Sequence, residues 1–108
     1  MAEINALTMN KIRSFIECLK DAGYEISEAY LFGSCLAGRM DSWSDIDIAV
    51  VSPQLGKDRL EERIRLMELA LPIDDRIEPL PLNPSDLNDI DPLIKQIRET
   101  GLSLIQSN

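Results

Sequence analysis

The chain has 108 residues, 44% of them apolar and 28% charged, and this balance is typical of one folded domain rather than a disordered segment. Its formal net charge of −8 argues against a nucleic-acid-binding surface, because phosphate binding requires a basic patch. The absence of histidine excludes a His-dependent triad, a His proton shuttle and a His-rich zinc site.

The sequence also bears on where the protein is found. The N-terminus has no basic region followed by an apolar block. No apolar run approaches the length of a membrane span. These features predict a cytoplasmic protein that does not contact a membrane.

The first predicted element is a helix that begins at Thr8, its expected N-cap, and ends near Ala22. Gly23 suits the left-handed residue beyond the helix end. The residues expected to face the core recur at helical spacing and are Ile12, Phe15, Ile16 and Leu19. Segment 26–32 is then predicted to be the first strand.

Two short polar patterns lie around the next strand boundaries. Gly33 and Ser34 follow the first strand, and a helical turn over 34–37 would point amide hydrogens towards an anion. Asp45 and Asp47 open the second strand and project from one face, because strand side chains alternate. Two carboxylates aimed together repel unless a cation lies between them, and hard oxygen ligands suit Mg²⁺. This stretch therefore predicts a phosphate cradle beside a magnesium site.

The second strand is predicted to extend to Val51 and to be followed by a second long helix over 57–71. The apolar stripe expected to pack in the core consists of Leu60, Ile64, Met67 and Leu71. The charged residues expected on a solvated outer face are Glu61, Glu62, Arg63 and Arg65.

A third strand is predicted over 76–82, and it contains two prolines. Pro79 and Pro81 have the same parity, so both missing N–H donors lie along one side of the strand. That side is predicted to be an unpaired sheet edge. The alternate residues, beginning with Glu78, would pair inward.

A last helix is predicted to begin at Pro92, to be capped by Asp91 and to end near Thr100. The residues expected on its buried face are Leu93, Ile94 and Ile97. Segment 102–105 could add a short strand or pack as a tail.

The glycine and aspartate patterns together resemble those of the nucleotidyltransferase superfamily that includes DNA polymerase beta. They are Gly33-Ser34-x-x-x-Gly38 and, after a fixed gap, Ser44-Asp45-Ile46-Asp47. The small size is similar to that of its minimal nucleotidyltransferase branch, MNT. The resemblance implies an α/β fold of the α+β type, with a small mixed sheet, helices mainly on one face, and residues 1–108 forming one domain.

The resemblance implies transfer of AMP from ATP to a hydroxyl acceptor, with release of pyrophosphate and two Mg²⁺ ions. Asp45 and Asp47 would bridge both ions, while Gly33 and Ser34 would hold the triphosphate tail. Glu78 matches the third carboxylate of the superfamily, although Asp is more usual at that position.

Other residues are weaker candidates for the same site. Asp74 and Asp75 compete with Glu78 for the third carboxylate, but their position favours a turn before the strand. Ser44 could orient the first aspartate, bind a phosphate oxygen or make a loop hydrogen bond. Arg39 could reach a phosphate or be solvated.

The nature of the acceptor follows from the family alone. The resemblance implies that the acceptor is a tyrosine on a separate helical HEPN toxin, for which this chain would be the MNT antitoxin. One alternative is a transferase acting on a small hydroxylated molecule, such as an antibiotic. Another is a non-catalytic antitoxin that neutralises its partner by contact, which the presence of all three carboxylates argues against.

Overall fold

The computed structural model describes residues 6–33, 45–88 and 91–105, and the predicted helices and strands occur there in the predicted order. The elements are α1 (Ala6–Asp21), β1 (Glu28–Phe32), β2 (Ile46–Val51), α2 (Arg59–Ala70), β3 (Ile77–Leu82), a short 3-10 helix (Pro84–Asn88), α3 (Pro92–Thr100) and β4 (Leu102–Ser103). Within these residues no helix is long and apolar enough to cross a membrane.

The four described strands form one mixed sheet in the order β3-β2-β1-β4. β1 pairs antiparallel with both β2 and β4, whereas β2 and β3 run parallel. A parallel pair requires a crossover connection, and α2 supplies it. The mixed sheet and the α/β class are therefore as predicted, and the segment after α3 adds a short strand.

The prolines of β3 lie on the outer side of this edge strand. The main-chain N–H of Ser52 donates to the carbonyl oxygen of Leu82 at 2.9 Å, so residues of that parity face β2. Pro79 and Pro81 have the opposite parity. Their missing N–H groups therefore fall on the unpaired side, as predicted, and they protect this edge from pairing with another chain.

Both faces of the sheet carry buried apolar residues. The larger cluster lies where α1 and α2 pack and includes Ile12, Phe15, Leu19, Leu31, Ile46, Ile48, Val50, Leu66 and Ile77. The smaller cluster lies on the opposite face, under α3, and consists of Ala49, Val51, Leu82, Ile94 and Ile97. Two of the three described helices thus share one face, which confirms the predicted arrangement.

The predicted core face of α2 is wrong. Leu60, Ile64 and Leu71 are 72%, 50% and 64% exposed, while Leu66 and Ala70 are buried. Apolar residues occur at helical spacing on two faces of this helix, so periodicity alone did not identify the face that packs.

Glu62 lies on the face of α2 that packs inward, together with Leu66 and Ala70. It was expected to be solvated, yet it is only 8% exposed. Its carboxylate accepts hydrogen bonds from the main-chain N–H groups of Gly56 at 2.8 Å, Lys57 at 3.2 Å and Asp58 at 3.3 Å. These donors precede the helix and have no other hydrogen-bond partner among the described residues, so their bonds stabilise the buried charge of Glu62.

Two smaller expectations also fail. Thr8 does not cap α1, because the helix already includes Ala6 and Thr8 is buried within its first turn. Leu93 is 48% exposed, since the short helix α3 turns only Ile94 and Ile97 towards the sheet.

Candidate active site

Asp47 and Glu78 lie opposite each other at the start of two neighbouring strands. The parallel register pairs their Cα positions across β2 and β3, so both side chains project from the same face of the sheet. Asp45 comes just before β2, has the parity of Asp47 and is exposed. The structure therefore brings the three carboxylates predicted from the sequence to one end of one sheet face.

The charges of this cluster change the acidity of its central member. Burial is the largest cause that raises the pKa of Asp47, and the negative charges of Asp45 and Glu78 raise it further. The guanidinium of Arg63 acts in the opposite direction. The surroundings of Asp47 therefore disfavour its ionised form.

Arg63 is the cation that the sequence interpretation missed. It extends from α2 and donates to Oε2 of Glu78, with an Nη2–Oε2 distance of 2.6 Å. The sequence interpretation placed it on a solvated face of the helix, and nothing in the local sequence joins the two residues. The contact depends on how α2 packs against the edge strand.

Gly33 makes room for Asp47. It has a φ of +80°, which is in the left-handed region, and it follows Phe32, the residue paired with Asp47 across β1 and β2. A Cβ atom at Gly33 would overlap Oδ2 of Asp47 and lie 3.2 Å from its Cγ. A bare backbone is therefore required at this point, where the chain passes the carboxylate.

The donor chemistry of the cluster suits a divalent cation in part. Carboxylate oxygens are preferred ligands of Mg²⁺, and a cation would relieve the repulsion that raises the pKa of Asp47. Across residues 6–33, 45–88 and 91–105, however, no three His, Cys, Asp or Glu side chains lie close enough together to hold a metal ion. Glu78 would have to exchange Arg63 for an ion in order to complete such a site.

The face that carries the carboxylates is covered at its other end. Tyr30 and Leu80 pack against the apolar cluster under α3. The hydroxyl of Tyr30 donates to Oε1 of Glu28 at 2.5 Å, and burial together with this bond raises the pKa of Tyr30 to about 12. The end of this face under α3 is therefore filled by protein side chains.

Asp74 and Asp75, the alternatives to Glu78 as the third carboxylate, belong to the turn before β3, as predicted. Asp74 pairs with Lys11 at 3.1 Å and with Arg76 at 2.9 Å, and these contacts hold its pKa well below its usual range. Asp75 follows it and is exposed. The remaining predicted features lie outside the described residues and are Ser34, Gly38, Arg39, Ser44 and the turn over 34–37.

A comparison with protein families gives the class of protein. The family model described as a nucleotidyltransferase domain matches residues 12–99, which include Asp45, Asp47 and Glu78. The chain belongs to this nucleotidyltransferase family. No curated protein sequence matches it significantly.

Solved structures with the same fold include chains of toxin–antitoxin complexes. A toxin–antitoxin crystal structure with AMP-PNP contains a chain of 27% identity and TM-score 0.65, with 93% of this chain and 74% of that chain covered. For a mutant MntA–HpeT toxin–antitoxin complex the identity is 25% and the TM-score 0.64, with coverages of 97% and 76%.

A third similar structure is a tri-AMPylated Shewanella oneidensis HEPN toxin in complex with MNT antitoxin. Its matching chain is 24% identical with a TM-score of 0.59, and the match covers 94% of this chain and 73% of that one. At this identity the similarity establishes the fold alone. The superfamily and fold predicted from the sequence are confirmed.

Proposed function

We propose that this protein transfers AMP from ATP to a tyrosine hydroxyl of a partner HEPN toxin, and so acts as its MNT antitoxin. The observation that carries the proposal is the placement of Asp47 opposite Glu78, with Asp45 beside them and the bare backbone of Gly33 against the pair. The similarity to a toxin–antitoxin chain crystallised with AMP-PNP supports both a nucleotide substrate and a toxin partner.

The proposed reaction is a displacement at the α-phosphorus of ATP. The tyrosine oxygen forms a bond to that phosphorus, the bond to the bridging oxygen breaks, and pyrophosphate leaves with the electron pair. The hydroxyl proton passes to a carboxylate of the site. Such transfers depend mainly on positioning and on neutralising charge, and bound Mg²⁺ supplies the neutralising charge.

Each residue of the cluster has a role in this proposal. Asp45 and Asp47 would hold the Mg²⁺ ions, and Glu78 would complete the ligand set on the side of the attacking hydroxyl. The backbone at Gly33 and Ser34 holds the triphosphate tail through its N–H groups. Arg39 and Ser44 are assigned to phosphate contacts from the sequence pattern.

The test uses the partner, which we expect to be a helical HEPN protein encoded beside this chain. The two proteins are incubated with ATP and Mg²⁺, and the partner is weighed by intact mass spectrometry. We expect the partner to gain the mass of one or more AMP groups, and to gain none when EDTA replaces Mg²⁺. Conversion of the candidate tyrosine to phenylalanine should remove the modification.

Matched variants separate the possible outcomes. Asp45→Asn with Asp47→Asn should abolish transfer, whereas Asp21→Asn, at the exposed end of α1, should not change it. A partner that gains no AMP but is still neutralised by the double variant would identify a non-catalytic antitoxin. Pyrophosphate release that depends on an added antibiotic, and not on the partner, would identify a small-molecule transferase.

A further inference from the structure

An apolar stripe runs along the outer face of α2. Leu60, Ile64 and Leu71 are exposed and Met67 is partly exposed. Their spacing of four, three and four residues keeps them on one side of the helix, opposite the side that packs on the sheet. A continuous exposed apolar strip on a small protein is typical of a binding surface.

The stripe leads into a shallow groove at the C-terminal end of the helix. The groove has a volume of about 250 Å³, and its apolar walls include Ile64, Met67, Leu71 and Ile77. Ile77 belongs to β3, next to Glu78. The groove therefore joins the exposed face of α2 to the edge strand of the candidate active site.

One flank of the stripe is acidic. Glu68 and Asp75 stand on the rim of the groove, and Glu61 lies two helical turns before Glu68. Glu61 pairs with Arg65 at 3.1 Å, but neither Glu68 nor Asp75 forms an ion pair with another described residue. Two carboxylates beside the groove are thus available to a cationic group.

These charges disfavour a second copy as the occupant. When two identical helices pack antiparallel about a two-fold axis, each flank lies along the same flank of the other copy. Glu61 would then face Glu68 of the second copy, and two chains of net charge −8 would approach each other. Both effects are repulsive, whereas a basic partner is attracted.

We propose that the outer face of α2 docks the partner protein, and that the partner presents an apolar helix flanked by Lys or Arg. A large apolar side chain of that helix fills the groove, and its cationic residues pair with Glu68 and Asp75. The identity of the partner as a HEPN protein rests on the proposed function. Because Arg63 and Ile77 border the surface, a partner bound there also lies against the strand that carries Glu78.

The test is a titration of the HEPN protein with this chain by calorimetry, without ATP. Ile64→Glu combined with Leu71→Glu should weaken binding by roughly tenfold or more, since a charge would enter an apolar contact. Leu93→Glu on α3 is the matched control, because Leu93 is 48% and Ile64 50% exposed, and it should leave the affinity unchanged.

Substitution of Glu68 and the salt dependence of the affinity test the acidic flank separately. Glu68→Lys should weaken binding, and added salt should lower the affinity of the original protein more than that of Glu68→Gln. Far-UV circular dichroism and thermal melting establish that each variant is folded. Unchanged affinity in the folded Ile64/Leu71 variant would overturn the docking surface.

Docking and catalysis can fail separately. Asp45→Asn with Asp47→Asn should bind the HEPN protein normally and transfer no AMP. Normal binding without any transfer by the original protein would reject the proposed activity and leave the docking surface standing. A micromolar homodimer in sedimentation equilibrium, abolished by the Ile64/Leu71 variant, would assign the stripe to a second copy and overturn the proposal.

Discussion

At the scale of single residues, two glycines share a backbone conformation and differ in their surroundings. Gly33 and Gly23 have φ values of +80° and +99°. A Cβ at Gly33 would overlap Asp47, whereas nothing lies within 4 Å of a Cβ at Gly23. The pair therefore separates the energetic effect of a left-handed backbone from the effect of crowding at the site.

We expect Gly23→Ala to lower the free energy of unfolding by about 1–2 kcal/mol, the usual penalty for a non-glycine residue in this region. Gly33→Ala should lower the free energy of unfolding further, because the side chain of Asp47 must also move. The same variant should weaken Mg²⁺-dependent ATP binding. Urea unfolding and calorimetry measure the two effects. Equal losses in both variants, with ATP binding intact, would contradict the crowding argument.

The raised pKa of Asp47 predicts an unusual dependence of stability on pH. A carboxyl whose pKa is higher in the folded than in the unfolded protein favours folding while it is protonated, and this contribution is lost as the pH rises through the folded pKa. Above its ordinary pKa of 3.8 the charge of Asp47 therefore opposes folding. Asp47→Asn should unfold at a higher urea concentration than the original protein at pH 7, and the difference should shrink in acid.

Asp74 provides the control of opposite sign. Its pKa is lowered by Arg76 and Lys11, so its charge stabilises the folded state above the ordinary carboxyl pKa and ceases to do so as the pH falls. Asp74→Asn should therefore be less stable than the original protein at pH 7. If Asp47→Asn is less stable than the original protein at pH 7, burial and the charges of Asp45 and Glu78 do not disfavour the charge of Asp47.

The sequence predicted the orientation of residues within one strand, but it did not predict contacts between residues that are distant in the chain. The alternation of strand side chains was enough to place Asp45 and Asp47 on one face, because it depends only on position along the strand. The ion pair of Arg63 with Glu78 joins a helix to a strand, and its geometry depends on packing. Local pattern contains no information about such a contact.

At the scale of elements, the N-terminus of α2 depends on one buried carboxylate. Glu62 accepts hydrogen bonds from three main-chain N–H groups, while the side chain of the neighbouring Glu61 forms a surface ion pair with Arg65. Glu62→Ala should lower the free energy of unfolding by about 1.5–3 kcal/mol, because buried donors lose a charged acceptor.

Glu61→Ala is the matched control for this effect. Its exposed ion pair contributes about 0.5 kcal/mol or less, so this variant should unfold close to the original protein. Urea unfolding followed by circular dichroism compares the two. Similar small losses in both variants would show that Glu62 does not organise the helix start.

The main error in the predicted packing concerns the same helix. Amphipathic periodicity usually assigns the more apolar side of a helix to the core, which for α2 is the stripe containing Leu60 and Ile64. The structure turns Leu66 and Ala70 inward instead, on the side of the hydrogen-bonded Glu62. Such an error is informative, because a strongly apolar face left outside suggests a partner.

At the scale of the whole molecule, the order and type of the elements followed from local signals. Gly23 follows α1, and Asp91 with Pro92 begins α3, as predicted. Strand order and the parallel direction of β3 arise from long-range pairing, and the mixed sheet was expected only from the family resemblance. The assignments of Ser34, Arg39 and Ser44, and of one domain over residues 1–108, stay predictions.

The parallel pairing of β2 and β3 has a kinetic consequence. The two strands that carry Asp47 and Glu78 are joined through α2, so their ladder closes a loop of about thirty residues. Pairings of this separation form slowly, because chain entropy must be lost before the contacts are gained. Asp47 and Glu78 therefore come together only after β2 and β3 have paired. A ligand that bridges the two carboxylates would slow the separation of these strands during unfolding.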